Sequence, residues 1–594
     1  MKPVAQLVLI LLLCSQSALA DNAGQAAAAR SILERWQQDH AEPVNRSLHI
    51  VCWTPSDREF PAGYRERMSR MLLHIQDFYG REMERNGFGW KSFNLQQDEQ
   101  SQVVLHEVHG KYPMARYEKQ SGREIRDECL PVLKQAGIDA EQETIAIFCN
   151  LATWDAEKLE FVHQSPYYAG GTYRGGTAWQ LDSPELDTLN LAKKEPLIRD
   201  GEYGRISLGK HNSIFIGGMA HELGHAFGLP HCREQPHEKP LGTALMGAGN
   251  RTYGDELRAE GKGTFLTFAH ALQLASHPQF CERMETEQQQ VTVSLDDITI
   301  EAAGKAIKVE GTISGSPPIY GVLAYFDPEG NSNYNAAVSA AVPDANGRFE
   351  LECSALAPGK RALLRLVPLH ANGALSNRGS LSQMQFPYSV SADGTPDLGT
   401  IEIKQQLQSL IEALQRNDRT KAEELAAQLQ NPRAKEIAAA LMEDMSSQPT
   451  PAAYQGPEES VPLSDLQPDS EKVGWLRPTR NRVPERSMLL ESHGQIFARG
   501  LYAHAPARHV YSLDRNWQRL SGKVGLASGH AGSVKFQILG DGRLLWESPV
   551  VKADQIHKFD VDVVNVQALE LSTSATDDGP GSDWGLWLEP MLSR

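Results

Sequence analysis

Two hydrophobic periods alternate over the first half of the chain. Leu48-His49-Ile50-Val51-Cys52-Trp53 is apolar almost throughout and reads as a buried strand. Within Tyr64 to Met83, by contrast, Met68, Met71, Leu72, Ile75, Phe78 and Tyr79 recur at helical spacing. Val103 to Val108 gives a second strand, Ser121 to Gln135 a second helix with Gly137 just past its end, and Thr144 to Phe148 a third strand. This alternation predicts an α/β layer, closed by the helical spacing of Phe265 to Ala275. Before it, residues 21–45 form a helical lead-in of Ala, Gln and charged residues.

From 291 to 403 the pattern shortens to Ile298–Ile300, Ile307–Val309, Gly321–Phe326, Phe349–Glu350 and Ala362–Leu366, separated by Gly, Pro and Asn. That predicts a small immunoglobulin-like β-sandwich, a spacer or packing partner without catalytic residues of its own. Residues 404–445 return to helical spacing through Leu407, Leu410, Ile411, Leu414, Leu425, Leu429, Ile437 and Leu441. Asn417-Asp418 and Pro432 divide them into a helical hairpin or three-helix segment. Ser, Pro, Gln and acidic residues make 446–469 a linker without a core, and 470–594 is β-rich again.

A chain of 594 residues is too long for one core and accommodates three or four domains. Its first twenty residues stand apart. Lys2, the apolar run Val4 to Leu13 and Ala18-Leu19-Ala20 have the form of a cleaved secretory signal, too short to span a bilayer. The expected plan is a signal peptide at 1–20, the lead-in at 21–45, a catalytic domain at 46–285, a sandwich at 291–403, helices at 404–445, a linker at 446–469 and a last domain at 470–594. No later stretch is long and apolar enough for a membrane helix, so the mature chain is expected to be secreted or periplasmic. The net charge of -17 argues against nucleic acid as a partner. Beyond the signal lie Cys52, Cys129, Cys149, Cys232, Cys281 and Cys353, which an exported chain could pair in any of fifteen ways.

The densest chemistry lies in Gly217-Gly218-Met219-Ala220-His221-Glu222-Leu223-Gly224-His225-Ala226-Phe227-Gly228-Leu229-Pro230-His231. On a helix His221 and His225 lie one above the other and can share a metal ion, with Glu222 beside it. Gly228 can take the positive φ that ends a helix and returns His231 as a third imidazole. Three neutral nitrogens leave one tetrahedral position for water, the mark of a catalytic zinc. Cys232 reads as a disulfide or buried thiol rather than a fourth ligand. His49, His106 and His109, in or beside the strands, read as ordinary histidines. No Cys lies between Asp21 and Arg46, so the lead-in cannot cap the metal with a thiolate.

His221 to His231 spells HExxHxxGxxH and resembles the signature of the metzincin zinc endopeptidases. The resemblance implies a twisted sheet backed by helices, one Zn²⁺ held by His221, His225 and His231, Glu222 as general base, and a Met turn, for which Thr243 to Gly249 with Met246 is the candidate. The Tyr that several metzincins carry two residues after that Met is replaced by Ala248, and the nearest is Tyr253. It also implies an edge strand that pairs with extended substrate, for which Tyr167 to Trp179, with its paired glycines, is the candidate.

The last domain resembles the NPCBM family of carbohydrate-binding modules, which are β-sandwiches. The match rests on Ala498 to Pro506, Tyr511-Ser512-Leu513, Val524-Gly525, Gly532 to Phe536, Gly540-Asp541-Gly542, Asp577-Asp578-Gly579 and Asp583 to Trp587. Trp475, Tyr502, Trp546, Trp584 and Trp587 are the aromatics available to a sugar. The expected fold is therefore multidomain: an α/β metzincin-like catalytic domain, a β-sandwich middle domain, a short helical segment and a C-terminal carbohydrate-binding-like sandwich. The expected function is secreted, zinc-dependent cleavage of protein, with glycoproteins as substrates and glycans held by residues 470–594. The rivals are a glycan-binding adhesion or scaffold protein with an inactive zinc domain, and a zinc hydrolase of a non-peptide amide bond.

Overall fold

The computed structural model describes residues 22–287, 289–328, 333–375, 384–444, 446, 448–485, 487–553 and 555–594. The signal segment expected at 1–20 lies outside the described residues. The chain divides into two compact units, one up to Asp397 and one from Leu398.

The first unit is organised around a five-stranded sheet. Its elements are β1 (His49–Thr54), α1 (Tyr64–Arg85), β2 (Leu105–His109), α2 (Gly122–Gln135), β3 (Thr144–Cys149), β4 (Tyr168–Gly171), β5 (Gly176–Leu181) and α3 (Leu208–Ala226). The strand order is β2-β1-β3-β5-β4, parallel except for β4, which pairs antiparallel with β5 at the edge. Alternate side chains of β1 and β3 enter two different cores. Ile50, Cys52, Ala146 and Phe148 pack with residues of α1 and α3, whereas Val51, Trp53, Ile145 and Ile147 pack with Ile125, Cys129 and Leu133 of α2. A sheet covered on both faces needs apolar residues at every position, which is why β1 reads as a continuous run.

The last turn of α3 lies on the β4–β5 hairpin. A Cβ on Gly171 would stand 2.0 Å from the Ala226 carbonyl oxygen, and one on Gly176 2.2 Å from it. Only glycine permits this approach. Gly176→Ala should therefore lower the melting temperature of the first unit, costing about 1–3 kcal/mol. An unchanged thermal transition would contradict the packing described here.

The lead-in is fastened down. A helix over residues 22–40 buries Ala26, Ala29, Leu33 and Trp36 in the core shared by α1 and α3, and Ala41–Pro43 pairs antiparallel with Arg283–Glu285. A short helix, Phe268–Leu274, lies within the expected helical run at 265–275.

The sandwich has strands β6 (Thr292–Ala303), β7 (Ala306–Ser316), β8 (Ile319–Asp327), β9 (Ala337–Ala341), β10 (Arg348–Cys353), β11 (Arg361–His370) and β12 (Gln385–Val390). One sheet runs β6-β7-β10 and the other β9-β8-β11-β12, extended by Pro396–Asp397. It is more than a spacer. Tyr320, Leu323, Tyr325, Val338 and Leu369 belong to the same hydrophobic core as α1 and α3. The Tyr320 hydroxyl donates to the Leu272 carbonyl at 2.8 Å, which ties β8 to the short helix.

In the second unit three helices, α4 (Gly399–Gln415), α5 (Arg419–Gln428) and α6 (Pro432–Met442), are divided where Asn417 takes φ 57° and Asp418 caps α5. They share a core with Leu489, Ile496 and Ala498 of the following sandwich. That sandwich has one sheet built around Arg519–Leu526 and Gly585–Ser593 and another around Ala507–Ser512, Ser533–Gly540 and Ala568–Ala575. The stretch expected to be a bare linker, 446–469, differs from that expectation. Ser460–Pro462 pairs with Gly585–Ser593, Leu463 and Leu466 are buried in the sandwich core, and the Trp517 indole N–H donates to the Pro451 carbonyl at 3.2 Å. Val461, Leu463 and Leu466 are placed to close the sandwich edge. Among the described residues no helix is long and apolar enough to cross a membrane.

Candidate active site

Helix α3 carries the site. Its start is capped by the Ser207 hydroxyl, which accepts from the Lys210 N–H at 3.0 Å. Its end is a Schellman turn. Gly228 stands at φ 84°, the Gly228 N–H donates to the His225 carbonyl and the Leu229 N–H to the Gly224 carbonyl, both at 2.9 Å. The chain thus reverses and brings His231 back towards the helix.

The donor nitrogens of His221, His225 and His231 lie within 4.8 Å of one another, the one such cluster among the described residues. The Nε2 atoms of His225 and His231 are 3.0 Å apart. The Nδ1 atom of His221 is 2.7 Å from the Leu245 carbonyl oxygen, and that of His225 is 2.7 Å from the Leu229 carbonyl oxygen. A carbonyl only accepts, so Nδ1 carries the proton in both rings and each Nε2 presents a lone pair. Burial, with His225 nearby, holds the His221 imidazole down at about 3, and burial lowers His225 as well. Unprotonated rings whose free nitrogens converge, each oriented by a carbonyl behind it, suit a divalent cation. Imidazole nitrogens at about 2.0–2.1 Å from a tetrahedral zinc would stand about 3.3 Å apart, within the range seen here. The donor set therefore fits zinc.

Glu222 follows His221 on the same helix and is buried, and burial pushes its carboxyl up to about 8. Beside it stands Tyr167. A Cβ on Gly218 would fall 1.8 Å from the Tyr167 hydroxyl, so the phenol rests directly on the helix. Its pKa is raised by burial, and the Glu222 charge adds to that. Met246 is fully buried under the helix, where a Cβ on Gly224 would meet its sulfur at 2.3 Å. The same turn supplies the Leu245 carbonyl to His221. Tyr253 packs into the core against His74, Phe78 and the Gly217 backbone. Cys232 is a buried thiol, 3.6 Å from His270 Nδ1, and all six described cysteines are unpaired.

One neighbour of the site escaped the sequence reading. Tyr334, on the turn before β9, places its ring 3.9 Å from that of His231 at an interplanar angle of 34°. It lies far downstream, on a turn of the β-sandwich, and no spacing connects it to the histidines.

In the second unit Trp587 and Tyr502 are fully buried in the core, Trp584 is nearly so, and Trp546 is half-buried. Trp475 is 59% exposed. The Tyr502 hydroxyl donates to the Trp475 carbonyl at 3.3 Å, and His530 stacks on Trp584 at 4.1 Å.

Residues 459–593 match the family model of the NPCBM/NEW2 domain. No curated protein matches the chain. Among solved structures, catalytically inactive OgpA from Akkermansia muciniphila in complex with an O-glycopeptide (glycodrosocin) substrate is similar at 26% identity. That match covers 60% of this chain and 95% of the other, with a TM-score of 0.49. The M60 catalytic domain with the CBM51-1 and CBM51-2 domains from Clostridium perfringens ZmpB is similar at 13% identity, over 65% of this chain and 40% of the other, with a TM-score of 0.23. CBM51 from Clostridium perfringens GH95 in complex with methyl-galactose is similar at 23% identity, over 23% of this chain and 99% of the other, with a TM-score of 0.21.

Proposed function

We propose that this chain is a secreted, metzincin-like zinc endopeptidase that acts on glycoproteins. The observation that carries the reading is the convergence of three imidazoles, His221, His225 and His231, the first two oriented by backbone carbonyls, with the Glu222 carboxyl on the helix that bears His221 and His225. Zinc bound there would polarise a carbonyl and bring the pKa of a bound water towards neutrality. Glu222 accepts the proton of the attacking water and returns it to the leaving amine. The edge strand β4 offers its outer backbone to an extended peptide, which strand addition would hold in line with the site. Peptide-bond mapping of a mucin-type glycoprotein, digested by wild type and by a Glu222 variant, tests the reading. New peptide termini made only by wild type support it. Intact peptide bonds with an altered amide on the sugar favour the non-peptide hydrolase, and no change at all favours the scaffold.

The NPCBM match makes residues 470–594 the proposed glycan contact, with Trp475 as its exposed aromatic platform. Tethering to a glycan raises the effective concentration of substrate at α3 without any new contact there. Trp475→Ala in the full chain should weaken glycoprotein binding by about tenfold and leave cleavage of the enzymatically deglycosylated protein unchanged. Equal binding by both forms would remove Trp475 from the glycan site.

A further inference from the structure

We infer that the hollow beside Gly170, on the α2 face of the edge strand β4, is a subsite for an acidic side chain of the extended substrate peptide, with Arg126 as the residue that selects it. The subsite rests on the endopeptidase reading and adds to it a specificity pocket on the face of the sheet turned away from α3.

The register of the β4–β5 hairpin decides which side chains reach this place. Tyr168 pairs with Trp179, Ala169 with Ala178, Gly170 with Thr177 and Gly171 with Gly176. Gly171 and Gly176 lie against the Ala226 carbonyl of α3, and Ala178 belongs to the core that α3 shares. Side chains alternate across a strand, so positions 168 and 170 face the other way, towards α2. The contacts of Tyr168 agree: its hydroxyl accepts from the Gly122 N–H at the start of α2 at 3.1 Å, and its ring stands 5.1 Å from that of Trp179.

Gly170 differs from the other glycines of the hairpin. A Cβ on Gly171, Gly175 or Gly176 would meet backbone oxygen closer than 3 Å, whereas one on Gly170 would meet no atom within 4 Å. Neither packing nor a positive φ requires glycine at this position. Its missing side chain leaves a hollow of about 350 Å³, bounded by Arg126, Ala140, Glu141, Tyr168 and Trp179. β4 is the edge of its sheet. A peptide strand added to that edge presents its side chains to the two faces by turns, and the one beside Gly170 on the α2 face enters the hollow.

The chemistry of the hollow selects an acid. The Tyr168 and Trp179 rings can cover the stem of a side chain, and Arg126 supplies the charge. Its Nε donates to the Thr177 hydroxyl at 3.2 Å, and its Nη2 to the Ala140 carbonyl and the Glu141 carboxylate, both at 2.8 Å. These bonds fix the guanidinium plane. Nη1 makes no bond to any described residue, so two N–H donors of a positioned fork are left for a ligand. Glu141 does not cancel them: its side chain is 73% exposed, while that of Arg126 is 19% exposed. A carboxylate accepting from Nη1 makes a charge-assisted bond at the less solvated end of this pair. A lysine would meet the Arg126 charge.

The test uses the full-length chain and synthetic O-glycosylated peptides built on a sequence that wild type cleaves within a mucin-type glycoprotein. A single Glu, Gln or Lys is walked through the positions flanking the cleaved bond, and kcat, KM and bound zinc are measured for wild type, Arg126→Leu and Gly170→Val. Wild type is expected to prefer Glu to Gln by about fivefold in kcat/KM, mainly through KM, at one position and at neither of its neighbours, whose side chains face the other side of the added strand. Arg126→Leu should bring the rate on the Glu peptide down to that on the Gln peptide. Gly170→Val fills the hollow without removing a bond of Arg126, and it should also lose the preference while keeping its zinc. Arg126 ties α2 to Ala140, so Gly170→Val carries the decision if Arg126→Leu loses its fold. A preference for Glu that survives Gly170→Val, or the absence of any position at which wild type separates Glu from Gln, overturns the subsite and leaves the endopeptidase reading intact. If wild type cleaves no glycoprotein at all, the endopeptidase reading fails and the subsite falls with it.

Discussion

Glu222→Ala is expected to keep its metal and to lose peptide-bond cleavage by about two to four powers of ten. The two halves of this result come from different atoms. The metal is assigned to the imidazole nitrogens of His221, His225 and His231, and the carbonyls of Leu245 and Leu229 that orient two of those rings are untouched by the substitution. The helix around Glu222 is held by Tyr79, whose hydroxyl donates to the Ala220 carbonyl at 2.7 Å, and by the Met246 sulfur under Gly224. Neither contact needs the carboxylate. What disappears is the carboxyl group proposed as the proton acceptor, which follows His221 on the helix. Glu222→Gln sharpens the measurement, since it keeps the side-chain volume and removes only the basicity. Stoichiometric zinc by elemental analysis with cleavage near background is the expected pair of readings. Normal cleavage by either variant would move the base elsewhere.

The legible part of the fold is the part set by local periodicity. β1 and β3 are apolar without a break from Ile50 to Trp53 and from Ile145 to Cys149 because α1 and α3 cover one face and α2 the other, so their burial could be read from the run itself. Gly228 is legible for a related reason: a Schellman turn needs positive φ, and the structure has 84° at that residue. Contacts made across domains left no comparable trace. The lead-in reads as a helix of Ala, Gln and charged residues with no partner named, yet Ala26, Ala29, Leu33 and Trp36 fill a core whose other wall is far along the chain. Val461, Leu463 and Leu466 are too sparse to announce a strand and its flank, but each is buried where the sandwich closes. Tyr334 is the extreme case. Its position beside His231 follows from the docking of β9 along residues 233–235, a tertiary event without a sequence period.

His225→Ala is expected to behave in the opposite way to the Glu222 variants, losing metal and activity together. His225 is the middle one of the three proposed ligands. Its Nε2 faces that of His231 at 3.0 Å, and its ring lies 4.8 Å from that of His221. Two imidazoles remain after the substitution, and two neutral ligands hold zinc far more weakly than three. Bound zinc should fall from about one equivalent to near none at matched free metal. A second consequence separates this loss from simple misfolding. A ligand that binds only the folded chain stabilises it by about 2.7–4.1 kcal/mol at free concentrations of 100 to 1,000 times its dissociation constant. Chelation should therefore lower the melting temperature of wild type and of Glu222→Gln, and leave that of His225→Ala where it already stands. The variant also loses the bond from its ring to the Leu229 carbonyl, so its own melting temperature should lie slightly below that of chelated wild type. Zinc retained by His225→Ala at wild-type stoichiometry would mean that the three imidazoles are not the metal site, and the assignment of Glu222 as base would lose its footing with it.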